Sequence, residues 1–157
     1  MKKHYWYIAG ASLLIFLIMG TKKAFGKVTT ENKIRGCDPS GCGHFGADRG
    51  SRKHEGIDIV VKEGETIISP IDGEVIRYPF PYSGDINYKG ILIRNKDLEV
   101  KIFYLNPTAP VGKISKGQKI GIAQNIAKKY PSTPMTPHIH LEVRDSKGVL
   151  LNPANLY

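Results

Sequence analysis

Pro137-His138-Ile139-His140-Leu141-Glu142-Val143-Arg144 is the stretch from which both the fold and the site can be read. As a strand it sends alternate side chains to opposite faces. Ile139, Leu141 and Val143 fall on one face, ready to pack into a core, and His138, His140, Glu142 and Arg144 fall on the other. No packing requirement asks for two imidazoles side by side. Upstream, His54-Glu55-Gly56-Ile57-Asp58 offers a third imidazole and a carboxylate at the start of another apolar alternation. Two imidazoles and a carboxylate suit Zn²⁺, with a fourth position left for water. A lone histidine is usually a surface or hydrogen-bonded core residue, and either motif alone arises by chance. Of the five histidines, however, three fall in these two motifs, while His4 lies in the N-terminal segment and His44 in a glycine-rich run.

Outward from these stretches the pattern is all-β. Ile57, Ile59 and Val61 alternate with Asp58 and Val60, and a turn at 62–65 leads to a short strand at 66–68. Ser69-Pro70-Ile71-Asp72-Gly73 leads through an Asp-Gly turn to a strand at 74–78. Pro79 and Pro81 make 78–85 an aromatic loop, because proline cannot donate in a central strand. Residues 90–94 and 98–104 read as a hairpin about Asn95-Lys96-Asp97, and 119–123 as a further strand. Only 109–113 and 124–130 are candidates for a short helical turn. Short strands at regular spacing with glycine turns predict an antiparallel sandwich or barrel over 43–157.

Residues 1–26 stand apart from that domain. A basic start, Met1-Lys2-Lys3-His4, precedes an almost wholly apolar run at 5–19, closed by Lys22 and Lys23. About fifteen apolar residues suit a signal peptide better than a full span of about 20. Ala24-Phe25-Gly26 offers a cleavage site. An uncleaved anchor through residues 5–20 is the alternative, and either places the domain in a secreted, periplasmic or cell-envelope setting. This segment carries four of the lysines and no acid, so the net charge of +9 falls to +5 for 27–157. That charge favours anionic surfaces such as cell wall or glycan, although solubilising lysines explain it as simply. No basic helix or aromatic-basic motif points to nucleic acid. Residues 27–36 read as a polar linker, followed by Cys37-Asp38-Pro39-Ser40-Gly41-Cys42 with the only two cysteines. In an exported chain an even count predicts a disulfide. A zinc pair would need two further soft ligands, and no other cysteine supplies them.

The ordered motifs His54-x-x-x-Asp58, the run Gly64 through Val75, Lys116-Gly117-Gln118-Lys119-Ile120-Gly121, and His138-x-His140 resemble the M23 family. These are the lysostaphin-type zinc metallopeptidases that cut peptidoglycan cross-bridges. The resemblance implies a β-sheet core and zinc held by His54, Asp58 and His140. It implies a cell-wall peptide or glycan as substrate. His138, two residues from a ligand on the same face, is placed to move a proton, and Glu142 to orient a ligand imidazole. A surface pair of Glu142 with Arg144 is the simpler alternative for those two residues. One position departs from the family's active pattern. Active members carry a further histidine in the strand that ends His-Leu, and here the segment is Ile102-Phe103-Tyr104-Leu105. A member regarded as a non-proteolytic binding protein also has tyrosine there. Tyrosine, with a pKa of about 10, is no base at neutral pH, although its hydroxyl can donate to an oxyanion. Two classes therefore stand: an exported zinc endopeptidase that uses His138 and Tyr104, and a zinc-stabilised binding module. The sequence sets no oligomeric state.

Overall fold

A computed structural model describes residues 25–157. All but the last two residues of the segment expected to be a signal peptide or anchor lie outside the described residues. Among the described residues no helix is long and apolar enough to cross a membrane. The strands are β1 (Cys37–Asp38), β2 (Gly41–Cys42), β3 (Ile57–Val60), β4 (Thr66–Ile68), β5 (Gly73–Arg77), β6 (Gly90–Arg94), β7 (Leu98–Phe103), β8 (Leu105–Pro107), β9 (Gly112–Ile114), β10 (Lys119–Ala123), β11 (His138–Asp145) and β12 (Leu150–Leu151). Two 3₁₀ turns, Ile126–Lys129 and Pro153–Asn155, are the helical content of the described residues.

The main sheet runs β12-β11-β7-β6-β5-β9, with β3 also paired to β11. A second, three-stranded sheet runs β4-β10-β8, and β1 and β2 form a small hairpin. All pairings are antiparallel. Ile139, Leu141 and Val143 are fully buried, as the alternation requires, and they join Ile57, Ile59, Ile91, Ile93, Val100 and Ile102 in one core. Ile67, Leu105 and Ile120 bring the smaller sheet into the same cluster. Each such aliphatic side chain contributes roughly 1.5–3 kcal/mol by leaving water. β11 is the hub. It pairs with β7 on one side, and on the other with β3 along its first half and β12 along its second.

Four expectations change. The stretch 109–113 holds no helical turn: 109–111 are irregular and lead into edge strand β9, paired with β5, whereas 124–130 does hold a 3₁₀ turn. The Asp72-Gly73 stretch does not close a hairpin, because β4 and β5 belong to different sheets. Glycine is needed at 73 because a Cβ there would sit 2.5 Å from the Arg94 carbonyl oxygen. The strand expected to run through Tyr104 stops at Phe103, since Tyr104 takes a left-handed φ of 68°. Finally, 27–36 is no free linker. Val28 and Arg35 are buried, and the Arg35 N–H donates to the Asp58 carbonyl at 2.8 Å.

Candidate metal centre

The register places the site. His140 pairs directly with Asp58 across the β3–β11 ladder, so their side chains leave the sheet on the same face. His54 reaches the same point from the loop before β3. Gly56 lets the chain pass close to β11, since a Cβ there would fall 2.2 Å from the Leu141 carbonyl oxygen. Asp58 Oδ1 lies 3.0 Å from His140 Nδ1 and 3.2 Å from His54 Nε2, and the two ring nitrogens are 3.0 Å apart. This triangle is close to the edge of a tetrahedron with ligand bonds of about 2.0–2.1 Å.

The outer hydrogen bonds fix the chemistry of the inner atoms. His54 Nδ1 is 2.8 Å from the His44 carbonyl oxygen, which can only accept, so the proton sits on Nδ1 and Nε2 is bare. His140 Nε2 is 3.1 Å from Glu142 Oε1. Burial works against the charge of Glu142, but hydrogen bonds from His140 and Lys101 outweigh it and hold its pKa at about 2, so it accepts. The His140 proton therefore sits on Nε2, leaving Nδ1 bare. Three acceptors, one of them anionic, thus face one another at the cleft floor, an arrangement that a cation completes. Without a metal a proton must serve. Although burial opposes it, the hydrogen bonds to Asp58 and Glu142 raise the pKa of His140. In that metal-free state, with N–H on the facing imidazole nitrogens, hydrogen bonds from His140 and His54 outweigh burial and hold Asp58 well below the usual carboxylate range.

His138 is buried beside this triangle. Its Nδ1 donates to the Thr136 carbonyl at 2.7 Å, leaving Nε2 bare, 3.8 Å from Asp58 Oδ2. Burial lowers its pKa despite the nearby Asp58, so it is a neutral base at pH 7. Tyr104 packs edge-on to it at 5.7 Å between ring centroids. Burial raises the Tyr104 pKa, so the hydroxyl keeps its proton. That hydroxyl is 3.2 Å from Tyr82 Oη, which in turn accepts from Tyr130 at 3.2 Å. Lys129 lies over the Tyr82 ring at 4.5 Å and pairs with Asp85, fixing the aromatic loop. The cleft above the triangle has a volume of about 450 Å³, and Arg52, Pro81, Tyr82, Phe103, Tyr130 and Met135 are among its lining.

The structure brings together every residue expected at the site. Glu142 binds Lys101 and His140 rather than Arg144, which pairs with Glu55. Cys37 and Cys42 are joined in a disulfide, so their sulfurs are closed to a metal despite lying near His44. The His44 ring is exposed, and its contribution is the carbonyl that orients His54. The residue that sequence reasoning passes over is Arg35. It donates to Asp58 Oδ2 through Nη2 at 2.9 Å and Nε at 3.3 Å. Its one signal is a position between Ile34 and Gly36 in a stretch that alternates apolar and polar residues too irregularly to read.

Comparison with known proteins agrees with this geometry. The model of peptidase family M23 matches residues 52–153. Mouse leukocyte cell-derived chemotaxin-2 is 33% identical over 141 residues, which cover 88% of this chain and 91% of that protein. Among solved structures, the catalytic domain of a prophage-encoded M23 protein from Enterococcus faecalis superposes with a TM-score of 0.55. It is 22% identical and covers 83% of this chain and 95% of that one. A zinc-containing peptidase from Vibrio cholerae gives a TM-score of 0.55 at 25% identity, covering 82% of this chain and 38% of that one.

Proposed function

Because the chain belongs to peptidase family M23, we propose that it is an exported zinc-dependent endopeptidase acting on cell-wall peptides. The observation that carries this reading is the convergence of three potential ligand atoms, His54 Nε2, Asp58 Oδ1 and His140 Nδ1, under an open cleft. Peptidases of the family are zinc-dependent, and these three atoms are the ones that would hold the ion. An ion held there would polarise a peptide carbonyl and lower the pKa of its water. The chain's own residues provide the rest. His138, neutral with a bare Nε2, accepts the proton released as water attacks and returns it to the departing amine. Tyr104 donates its hydroxyl to the developing oxyanion. Glu142 keeps the His140 proton on Nε2, so that Nδ1 stays a ligand. Tyr82, Phe103, Tyr130 and Met135 form an apolar wall suited to a peptide or glycan chain. The Cys37–Cys42 disulfide and the apolar run at 5–19 support export.

A second reading, a zinc-stabilised binding module, is favoured by two observations. Tyr104 stands where active members carry histidine, and the chain shares 33% identity with chemotaxin-2 over nearly its whole length. Incubating the purified chain with peptidoglycan and with oligoglycine peptides, with and without zinc, tests both readings. Release of new amines only in the zinc-loaded sample is expected. A zinc-loaded protein that releases no more than a chelated control ends the enzyme reading for these substrates, and sedimentation with intact peptidoglycan then tests the binding one.

A further inference from the structure

We propose that Arg35 is the positioning residue of the metal centre, confining Asp58 to offering a single oxygen to the cation. The inference rests on the metal reading above and adds a residue from outside the family match, which begins at residue 52. The Arg35 side chain is only 3% exposed, and so is that of Asp58. Nε and Nη2 both aim at Asp58 Oδ2, at 3.3 and 2.9 Å, while Oδ1 is left to the imidazoles. The remaining terminal nitrogen, Nη1, is tied to Asp38 Oδ2 at 2.6 Å and to the Gly41 carbonyl at 2.9 Å. Both acceptors lie inside the disulfide-closed β1–β2 hairpin, so the hairpin holds the guanidinium and the guanidinium holds the ligand. The backbone tightens the same joint. Asp58 N–H donates to the Gly43 carbonyl at 2.8 Å, and a Cβ on Gly43 would fall 3.1 Å from Asp58 Cβ.

A buried guanidinium is costly to desolvate, and a core has no need of one. Its use here follows from the carboxylate. Left alone, a buried Asp58 Oδ2 would be unpaired, and the carboxylate could turn both oxygens toward a cation. Bidentate binding would take up the coordination position that hydrolysis leaves for water. Arg49 does not replace this contact. It lies 3.5 Å from Oδ2, and its Nη1 is buried without a hydrogen-bond partner.

The test uses the full chain with its disulfide intact, and Arg35→Lys and Arg35→Gln. Zinc affinity is read by competition with a chromogenic chelator, coordination by the visible spectrum of the cobalt(II)-loaded protein, and fold by circular dichroism. Lysine keeps the buried charge but loses the planar fork, so Arg35→Lys should fold. It should bind zinc about 10–100-fold more weakly, the usual cost of losing a partner that orients a ligand. Its cobalt bands should weaken as a second carboxylate oxygen raises the coordination number. Arg35→Gln should show the same changes more strongly, and if it fails to fold, Arg35→Lys decides. A merely structural ion pair would lower the melting temperature and leave cobalt spectrum and affinity unchanged. That result in folded Arg35→Lys overturns this inference alone. A wild type that takes up neither metal overturns the metal reading and this inference with it.

Discussion

Replacing Tyr104 with phenylalanine separates catalysis from stability. The substitution removes one hydroxyl and nothing else. The lost hydrogen bond, to Tyr82 at 3.2 Å, is long for an O–H···O contact, whose usual length is about 2.7–2.8 Å. Tyr82 keeps its bond from Tyr130, so no buried polar atom is orphaned. The stability cost should therefore sit at the low end for a hydrogen bond, about 0.5–1 kcal/mol. If the hydroxyl serves the oxyanion, the rate should fall about 10²–10³-fold, the loss typical of one such donor, or roughly 2.7–4 kcal/mol. The catalytic effect thus exceeds the structural one several-fold. Tyr104→His should equal or exceed the wild type, because imidazolium donates more readily near neutral pH. The assay is amine release from peptidoglycan by the three proteins, each with zinc content and melting temperature measured. An unchanged rate in Tyr104→Phe refutes the role given to the hydroxyl. Wild type and Tyr104→Phe both inert with zinc bound, and Tyr104→His active, would place the chain among binding modules.

The remaining predictions address the site and its support. Purified protein should hold about one zinc per chain. His54→Ala, Asp58→Ala and His140→Ala should each lose it while His138→Ala keeps it, and elemental analysis showing His138→Ala empty and His140→Ala loaded would reverse those roles. Gly56→Ala should cost about 1–3 kcal/mol and also zinc, because its Cβ would meet both the Leu141 carbonyl oxygen and, at 3.0 Å, His140 Cε1; a normal melting temperature would contradict this. Acid should destabilise the metal-free chain. Asp38 and Glu142 both titrate at about 2 when folded, burial being outweighed by Thr136 and Arg35 for the first and by His140 and Lys101 for the second. When unfolded they titrate near about 4. Their stabilisation is therefore full above about pH 5 and lost as pH falls toward 2. The urea midpoint should drop over that window, and a flat midpoint would sink the claim.

What the sequence made legible is what period two encodes. Ile139, Leu141 and Val143 have to face a core, and that alone places His138, His140 and Glu142 together on the opposite face. The same alternation in Ile57-Asp58-Ile59 oriented Asp58. Contacts made by backbone or by single residues in irregular chain left no such trace. The His44 carbonyl orients His54, and a carbonyl has no residue signature. Arg35 sits in a stretch where charge suggested solvent. Its burial becomes intelligible only once Asp38 and Asp58 are seen to flank it. The switch of sheets between β4 and β5 was hidden because a glycine needed for close approach at 73 looks the same as one needed for a turn.

Tyr104 is where the two functional readings meet, and its backbone weighs on the choice. A bulky residue at φ 68° carries a cost of roughly 1–3 kcal/mol that glycine or asparagine would largely avoid. The surroundings hold it there on both sides. Its N–H donates to the Lys89 carbonyl at 2.8 Å, and its carbonyl accepts from the Gln124 N–H at 2.8 Å. The Tyr82–Tyr130 relay then fixes the hydroxyl, beside the one imidazole in the site that carries neither a ligand's geometry nor a charge. At neutral pH the pair consists of a base without its proton and an acid that keeps its own. A scaffold that needed Tyr104 only as filler could use phenylalanine, or a residue at ease with that φ. The strain is explained when the side chain has work that requires both an aromatic ring for packing and an O–H for donation. Under the endopeptidase reading that work is donation to a peptide carbonyl; under the binding reading it is the bond to Tyr82, as a non-proteolytic member with tyrosine here requires, and Tyr104→Phe separates the two.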